Sequence, residues 1–462
     1  GRADGATALA LGRGGVPTTQ IARPASTEAL LHALLHDLDA HAADVLAPDY
    51  VAPAYYATRW LRPAGITTIG TIHGDDAFYD ALIDEFVAGP PEYRLDGLVC
   101  VSRFVEARVR ARLGGRATTT MIRCVTSGTP LPREQAQPPG EEMRLVYVGR
   151  LAETHKRSLD VARAICRAVR AVPGTSGALY GDGPSRRMVQ DLLAVEGAGL
   201  PVRLAGSVDN QQIQAELLRS HVLVLLSDSE GLPMAVMEAM ACGVVPICLS
   251  TPTGALELVQ HGITGLLVDD REDAFVAAVR RLRESPELWL QLSHAARARI
   301  AAGYTPEHSA AQWRAFADEL GRLSEYLTFA LAGDAYGVHI SHIREILKPL
   351  PITEVPRAAR EVLGIMSVRG RLVTVIDMRS VFHLPRAPID RRSRIFLVEG
   401  SDDENVGFLV DEVLQVHRLA ESEIEPPSAL GGEQPSHIVG VGRPPSGPML
   451  VLLDLRPILG GE

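Results

Sequence analysis

Residues 221–249 read HVLVLLSDSEGLPMAVMEAMACGVVPICL. The run 222–226 is wholly apolar and rich in β-branched residues, which is typical of a strand buried on both faces of a parallel sheet. Polar residues follow it, and Pro233 then stands where the first turn of a helix favours proline. A helix over 234–241 and a second apolar strand over 244–249 complete a predicted strand, loop, helix and strand unit.

Two carboxylates flank the start of that helix. Glu230 lies in the loop and Glu238 in the second helical turn, with seven residues between them. Free N–H groups and the helix dipole at this point favour an anion, whereas a carboxylate accepts hydrogen bonds from sugar hydroxyls. The pair therefore fits a sugar linked to a nucleotide. The spacing alone is common among solvated charges, so the surrounding strands and turn carry this interpretation.

The motif SEGLP with EAMA resembles the donor site of the family-4 retaining glycosyltransferases, and its E-x7-E pair is in register. The resemblance implies an α/β two-lobed Rossmann-like architecture, called GT-B, and a nucleoside-diphosphate sugar as the donor. It assigns the donor sugar to Glu230 and the ribose to Glu238. It also places in the donor-binding loop the residues Gly231, Leu232 and Pro233.

The composition is that of a globular protein without a nucleic-acid partner. The net charge is -10 and neither half of the chain is basic. No apolar run reaches the ~18 residues that a membrane span needs, and no signal peptide is visible. The scattered cysteines indicate reduced core thiols of a cytoplasmic protein, not a disulfide framework. The chain begins with Gly1, which suggests a fragment or a processed product.

Residues 1–132 alternate between predicted strands and helices, which favours an α/β lobe with a mostly parallel sheet. His73 follows one of these strands, at the edge where such sheets bind ligands. A capping or hydrogen-bonding histidine is the plainer interpretation. The TIHG segment at 71–74 instead resembles a family segment that faces the donor sugar, which would place His73 at the reacting face. Strands are predicted over 7–11, 18–21, 44–48, 66–72 and 97–101, and a helix over 27–40.

The beginning of this lobe departs from the family pattern. The family opens with a βα unit whose Gly-rich loop approaches the ligands, and roughly one such unit of ~30–40 residues has no counterpart here. The Gly-rich segment at 12–15 is not followed by a helical pattern, so it is predicted to be a turn. We therefore expect an N-terminally incomplete acceptor lobe.

A polar, Pro-rich linker over 133–142 precedes the predicted donor lobe, residues 143–322. Arg150 and Lys156 lie just beyond its first strand. They are either solvated surface charges or two cations that neutralise a diphosphate leaving group, which would make a metal ion unnecessary. The family's G-R-L…K pattern favours the second interpretation, although the family usually writes K-G where Arg157 follows here. No cofactor beyond the nucleotide sugar is expected.

Residues 324–462 show short strands separated by turn signals, which indicate barrels or a sandwich. The five histidines are scattered, so a binding module is favoured over an enzyme. Strands are predicted over 325–331, 336–340, 363–368, 372–377, 393–398, 406–410, 413–419, 437–441 and 449–453, and a short helix over 343–347.

The segment GIMSVRGRLVTVIDMR at 364–379, with VGFLVDEV at 406–413 and MLVLLD at 449–454, resembles the chemotaxis coupling proteins, or CheW-like domains. Thr374 replaces the proline usual in that core. The resemblance implies two SH3-like barrels that join chemoreceptors to a histidine kinase. Arg369 is either a partner contact or an arginine that stabilises its turn.

These patterns together predict retaining, hexosyl-type glycosyl transfer to an unknown acceptor, coupled to a chemotaxis-type adaptor domain. The alternative is a non-catalytic signalling scaffold that carries a degenerate glycosyltransferase part. A third possibility is that the fusion is not natural, which the transcript across 320–325 would decide.

Overall fold

The structure is a computed structural model that describes residues 26–40, 43–62, 64–321, 323–399, 405–420, 423–427, 437–444 and 448–459. The chain divides into two compact units, Gly1–Ala317 and Asp318–Glu462. The strands predicted over 7–11 and 18–21 and the turn at 12–15 lie outside the described residues. Within the described ranges, no helix has the length and apolar character needed to cross a membrane.

The first lobe of the N-terminal unit is built on a parallel sheet of order β1-β2-β3-β4. The last strand was not predicted, because only Ile122 of its four residues is fully buried and the apolar run is too short to be recognised. The strands are β1 (Val45–Leu46), β2 (Thr67–Ile72), β3 (Gly97–Cys100) and β4 (Met121–Cys124). The helices are α1 (Thr27–Ala40), α2 (Ala52–Tyr55), α3 (Thr58–Leu61), α4 (Ala77–Phe86) and α5 (Arg103–Leu113).

The second lobe is built on a six-stranded parallel sheet of order β10-β9-β8-β5-β6-β7. Its strands are β5 (Met143–Val148), β6 (Thr175–Tyr180), β7 (Val202–Gly206), β8 (Val222–Leu225), β9 (Val245–Leu249) and β10 (Leu266–Val268). Its helices are α6 (Ser158–Ala171), α7 (Arg186–Val195), α8 (Asn210–Leu218), α9 (Met234–Ala241), α10 (Ala255–Leu258), α11 (Asp273–Glu284), α12 (Pro286–Gly303) and α13 (Pro306–Gly321).

The predicted strand, loop, helix and strand unit is present at the centre of this lobe. Every residue of β8 and β9 is buried, as expected for strands covered on both faces. The closing helix α13 reaches back to the first lobe, where Gln312 Oε1 accepts the backbone N–H of Thr126 at 3.0 Å. The loop between β8 and α9 lies at the carboxyl edge of the sheet, where parallel folds bind ligands.

The described residues of the C-terminal unit form two β-sheets. One has the order β18-β11-β12-β21-β20-β19 and the other the order β13-β16-β17-β15-β14. The strands are β11 (Leu323–Leu331), β12 (Asp334–His339), β13 (Ile343–Leu347), β14 (Val362–Val368), β15 (Arg371–Asp377), β16 (Arg394–Glu399), β17 (Asn405–Val410), β18 (Glu412–Ala420), β19 (Ile424–Glu425), β20 (Ile438–Gly442) and β21 (Leu450–Leu453), and the short α-helix α14 (Met378–Val381) follows β15.

The predicted helix over 343–347 is wrong, because this segment is the strand β13. It pairs antiparallel with β16, and exposed and half-buried residues alternate along it. Five residues are too few to separate a helical period from strand alternation, so the pairing partner decides the structure. After β13, Thr353 forms an isolated antiparallel bridge with Ile365 of β14.

Candidate functional site

The donor loop, which we define as residues 226–233 between β8 and α9, is held within its own lobe by hydrogen bonds to its backbone. The N–H of Asp228 donates to the His155 carbonyl at 2.7 Å, and the N–H of Gly254 donates to the Glu230 carbonyl at 2.8 Å. Arg271 donates to the Leu226 carbonyl at 2.9 Å. These bonds fix the loop without using the Glu230 carboxylate.

The first lobe touches the same loop from the opposite side. Ser229 Oγ donates to Asp75 Oδ1 at 2.7 Å, and Ser102 Oγ donates to the Gly231 carbonyl at 2.7 Å. A Cβ atom added at Gly231 would lie 1.9 Å from the His73 carbonyl oxygen. This close approach excludes any side chain at Gly231 and explains the glycine of the motif. The loop therefore lies where the carboxyl ends of the two sheets meet.

The structure brings together two residues that were predicted to bind different parts of the donor. Lys156 Nζ lies 2.6 Å from Glu230 Oε1, and their side chains are 29% and 10% exposed respectively. A diphosphate can compete for the ammonium group and a sugar hydroxyl can donate to the carboxylate. The ion pair thus places a cation and an acceptor side by side at the donor loop.

The segment before α6 explains the family preference for glycine after this lysine. Arg157 adopts a left-handed backbone conformation with φ 51°, which glycine adopts at lower cost than other residues. The Arg157 guanidinium pairs with Asp160 at 2.7 Å, within the first turn of α6. The arginine is thus accommodated in a position whose backbone favours glycine.

Arg150 lies in a loop whose backbone is fixed by the neighbouring GDGP turn. The N–H of Gly149 donates to the Tyr180 carbonyl at 3.0 Å, and the N–H of Leu151 donates to the Asp182 carbonyl at 2.9 Å. The Arg150 side chain itself is exposed, and it has no hydrogen bond or ion pair with any residue that the structure describes. Its guanidinium is therefore available to an external anion.

Glu238 occupies the second turn of α9, as predicted. Its neighbours Met237 and Ala239 are fully buried, while its own side chain is half-buried. Burial raises the pKa of the Glu238 carboxyl. No described residue forms a hydrogen bond or ion pair with this carboxyl, so it can accept hydrogen bonds from a ligand.

His73 follows β2 and has a partner that the sequence analysis did not identify. Its Nε2 lies 2.9 Å from Asp49 Oδ1, and the Tyr50 ring stacks on the imidazole with centroids 4.8 Å apart. The hydrogen-bonding interpretation of His73 thus has support, while its backbone carbonyl lies against the donor loop. Asp49 follows the end of β1 just as His73 follows β2, which is the signal that could have identified it.

In the C-terminal unit, Arg369 and Gly370 form the two-residue connection between β14 and β15. Both have positive φ values, 49° and 83°, as a type I′ hairpin turn requires. The Arg369 guanidinium pairs with Glu345 at 2.6 Å, yet its side chain is 80% exposed. The contact with Glu345 accounts for the arginine in part, and the exposed guanidinium remains accessible to a partner.

Two further motifs of this unit meet in one ion pair. Arg379, from the VIDMR segment, donates two hydrogen bonds to Asp411, from the VDEV segment, both at 2.7 Å. Asp411 also accepts the backbone N–H of Ala332 at 2.8 Å. The motifs were identified from the sequence, but their contact was not. This network ties the end of β17 to the β11–β12 turn and to α14.

Comparison with known proteins gives one family for each of two regions. Residues 130–299 match the family described as glycosyl transferases group 1, and residues 325–462 match the CheW-like domain. The two matched regions correspond to the donor lobe and the C-terminal unit.

Among curated relatives, the glycogen synthase of Mycobacterium tuberculosis is 29% identical over 211 residues, which are 45% of this chain and 50% of that protein. The chain thus spans about half the length of that relative. The chemotaxis protein CheW of Treponema pallidum is 26% identical over 142 residues, which are 30% of this chain and 83% of that protein.

Among solved structures, Anabaena Alr3699/HepE in complex with UDP and glucose superposes with a TM-score of 0.56 at 17% identity, over 68% of this chain and 90% of that one. At this identity the likeness shows the fold alone, which is GT-B. The chain therefore joins a glycosyltransferase group 1 region of GT-B fold to a C-terminal CheW-like domain.

Proposed function

We propose that the N-terminal unit transfers a hexosyl residue from a nucleoside-diphosphate sugar to an acceptor with retention of configuration. The observation that carries the proposal is the ion pair between Lys156 and Glu230 of the donor loop. The same loop contacts the His73 backbone through Gly231. The ammonium of Lys156, the carboxylate of Glu230 and the edge of the first lobe therefore all lie at the donor loop. The glycosyltransferase relatives support the same reaction class.

Each predicted residue then has a distinct part in the reaction. Arg150 and Lys156 neutralise the diphosphate as its bond to the anomeric carbon breaks, so that the nucleotide leaves without a metal ion. Glu230 accepts hydroxyl groups of the donor sugar and Glu238 those of the ribose. His73 faces the transferred sugar, and Asp49 holds its imidazole.

A panel of UDP-, GDP- and ADP-sugars tests this proposal with the purified full chain. We expect one donor to bind and to release its nucleotide, and NMR of the product should show the anomeric configuration of the donor. Inversion of that configuration would contradict the retaining mechanism. Absence of donor binding across the panel would contradict the proposed activity as a whole.

The residue assignments are tested by Glu238→Gln, which removes the charge at nearly constant shape. We expect donor affinity to fall about tenfold or more, since hydrogen bonds to a charged acceptor are the stronger class. Glu284→Gln is the matched control, because Glu284 is an exposed acid of the same lobe at the end of α11. Equal donor affinity in both variants would contradict the role of Glu238.

A second candidate function is a signalling scaffold, and the CheW-like match over residues 325–462 favours it. In this case the C-terminal unit binds a chemotaxis histidine kinase and a chemoreceptor, while the N-terminal unit binds a nucleotide sugar without turnover. Binding with no nucleotide release in the donor panel supports this function.

Arg369→Gly tests the partner contact, because glycine keeps the left-handed turn while the guanidinium is lost. Arg371→Ala is the control in the same hairpin. We expect weaker kinase binding in the first variant alone, and unchanged binding in both would contradict the role of Arg369.

A further inference from the structure

Glu257 connects the two lobes of the N-terminal unit through a hydrogen bond. The backbone N–H of Phe104 donates to Glu257 Oε1 at 2.7 Å. Phe104 lies in the first turn of α5, where the N–H groups have no partner within the helix. A carboxylate at this point also meets the positive end of the helix dipole. The contact therefore joins a charged side chain of the donor lobe to a fixed point of the first lobe.

The two segments that meet at Glu257 also hold the donor loop. On the side of the first lobe, Ser102 precedes α5 and its hydroxyl donates to the Gly231 carbonyl at 2.7 Å. On the side of the donor lobe, the N–H of Glu257 donates to the Gly254 carbonyl at 3.2 Å, and the N–H of Gly254 donates to the Glu230 carbonyl at 2.8 Å. A displacement of α5 from α10 therefore acts on the loop at two adjacent residues, Glu230 and Gly231.

The backbone of Glu257 is itself fixed from a third direction. Arg299 of α12 donates to the Glu257 carbonyl at 2.8 Å, and its guanidinium lies over the Tyr304 ring, 5.4 Å from the centroid. The short helix α10 is therefore anchored within the donor lobe itself. Because its backbone is held there, the carboxylate needs little further ordering to reach the N–H of Phe104.

We infer that Glu257 is a positioning residue that holds the two lobes together around the donor loop and so assembles the nucleotide-sugar site. The inference rests on the proposed function. Glu257 touches none of the residues assigned to the donor through its side chain, and it acts through Phe104. Because apparent affinity scales with the fraction of molecules in the competent state, loss of this hydrogen bond weakens nucleotide binding without removing a ligand contact.

Two substitutions at this position and one control test the inference in the full chain. Glu257→Ala removes the acceptor, whereas Glu257→Gln retains an oxygen at the same place. Glu106→Gln is the matched control, because Glu106 is also in the first turn of α5 but pairs with Arg110 within the first lobe at 2.7 Å. Affinity is measured by calorimetry with whichever of UDP, GDP and ADP the wild-type chain binds. Hydrogen exchange of segments 72–76 and 229–234 is measured without nucleotide.

We expect Glu257→Ala to raise the nucleotide Kd about tenfold and to speed exchange in both segments. Glu257→Gln should fall between Glu257→Ala and wild type, and the control should match wild type. Unchanged exchange overturns the inference, and so does faster exchange with unchanged affinity or an equal effect of Glu106→Gln. If the wild-type chain binds none of the three nucleotides, the proposed function fails by itself. Exchange at 229–234 then still decides whether Glu257 holds the lobes together.

Discussion

The two units each contain a partly buried ion pair between sequence motifs, and the two pairs differ in how completely they are satisfied. Arg379 and Asp411 form two hydrogen bonds at 2.7 Å, and each has a further partner, the Pro385 carbonyl for Arg379 and the Ala332 N–H for Asp411. Lys156 and Glu230 form one contact of 2.6 Å. A network with several partners is characteristic of a structural role. A single contact beside the donor loop leaves hydrogen-bond donors and acceptors for a ligand.

The largest effect on stability is expected for Asp411→Asn, which changes the network of Arg379 and Asp411. Asparagine keeps one acceptor oxygen but leaves Arg379 without a charged partner, which should cost the C-terminal unit about 2–3 kcal/mol. All three tryptophans lie in the N-terminal unit, so tryptophan fluorescence follows that unit alone and far-ultraviolet circular dichroism follows both. The unfolding transition of the C-terminal unit is therefore the one that circular dichroism detects and fluorescence does not. In Asp411→Asn, only this transition should shift to lower urea concentration.

Asp334→Asn is the control for this experiment, since Asp334 is an exposed acid in the β11–β12 hairpin. Its transition should stay within about 0.5 kcal/mol of wild type. An equal shift for both variants, or no shift for Asp411→Asn, would contradict the structural role of the pair.

For Lys156→Gln at the donor loop, we expect a larger effect on nucleotide affinity than on stability. Nucleotide affinity should fall about tenfold, roughly 1.4 kcal/mol, because the cation that we propose to neutralise the diphosphate is lost. Unfolding followed by tryptophan fluorescence should change by less than about 1 kcal/mol, as is usual for a partly exposed pair. The chain has only one other lysine, Lys348 in the C-terminal unit, and Lys348→Gln serves as the control for both measurements. A loss of stability larger than the loss of affinity would place Lys156 with Asp411 as a structural residue.

The sequence identifies single residues of the site, but it does not identify the partners that they contact. Glu230 and Lys156 follow buried strands of one parallel sheet, whose carboxyl ends share one edge, so their common location follows from the pattern. His73 follows a strand of the other sheet, so its approach to the donor loop does not follow from that rule. The partner of His73 was not predicted, although Asp49 directly follows the strand predicted over 44–48. The contact depends on β1 lying beside β2 in the sheet, and the apolar pattern does not give the order of the strands. The strand over 343–347 was missed for a related reason, since its partner lies far along the chain.

The pH dependence of stability offers a second distinction between the units. Burial raises the pKa of Asp411, but hydrogen bonds from Arg379 and the Ala332 N–H outweigh it and lower the pKa overall. The stabilisation is therefore complete above the unfolded pKa of about 3.9 and is lost as pH falls through the folded pKa. Below pH 4, wild type should lose stability faster than Asp411→Asn in urea titrations followed by circular dichroism. Parallel curves would show that Asp411 does not contribute.

The smallest effect concerns the backbone beside Lys156, where the chain has Arg157 in place of the family's glycine. Arg157→Gly and Arg157→Ala both remove the guanidinium and its contact with Asp160, so they differ only in the Cβ atom. At φ 51° that atom costs about 1 kcal/mol, and the glycine variant should be the more stable by this amount in fluorescence-detected unfolding. Equal stability would show that the segment relaxes out of the left-handed conformation when the arginine is absent. In that case the Arg157–Asp160 contact, rather than the backbone alone, holds Lys156 beside Glu230.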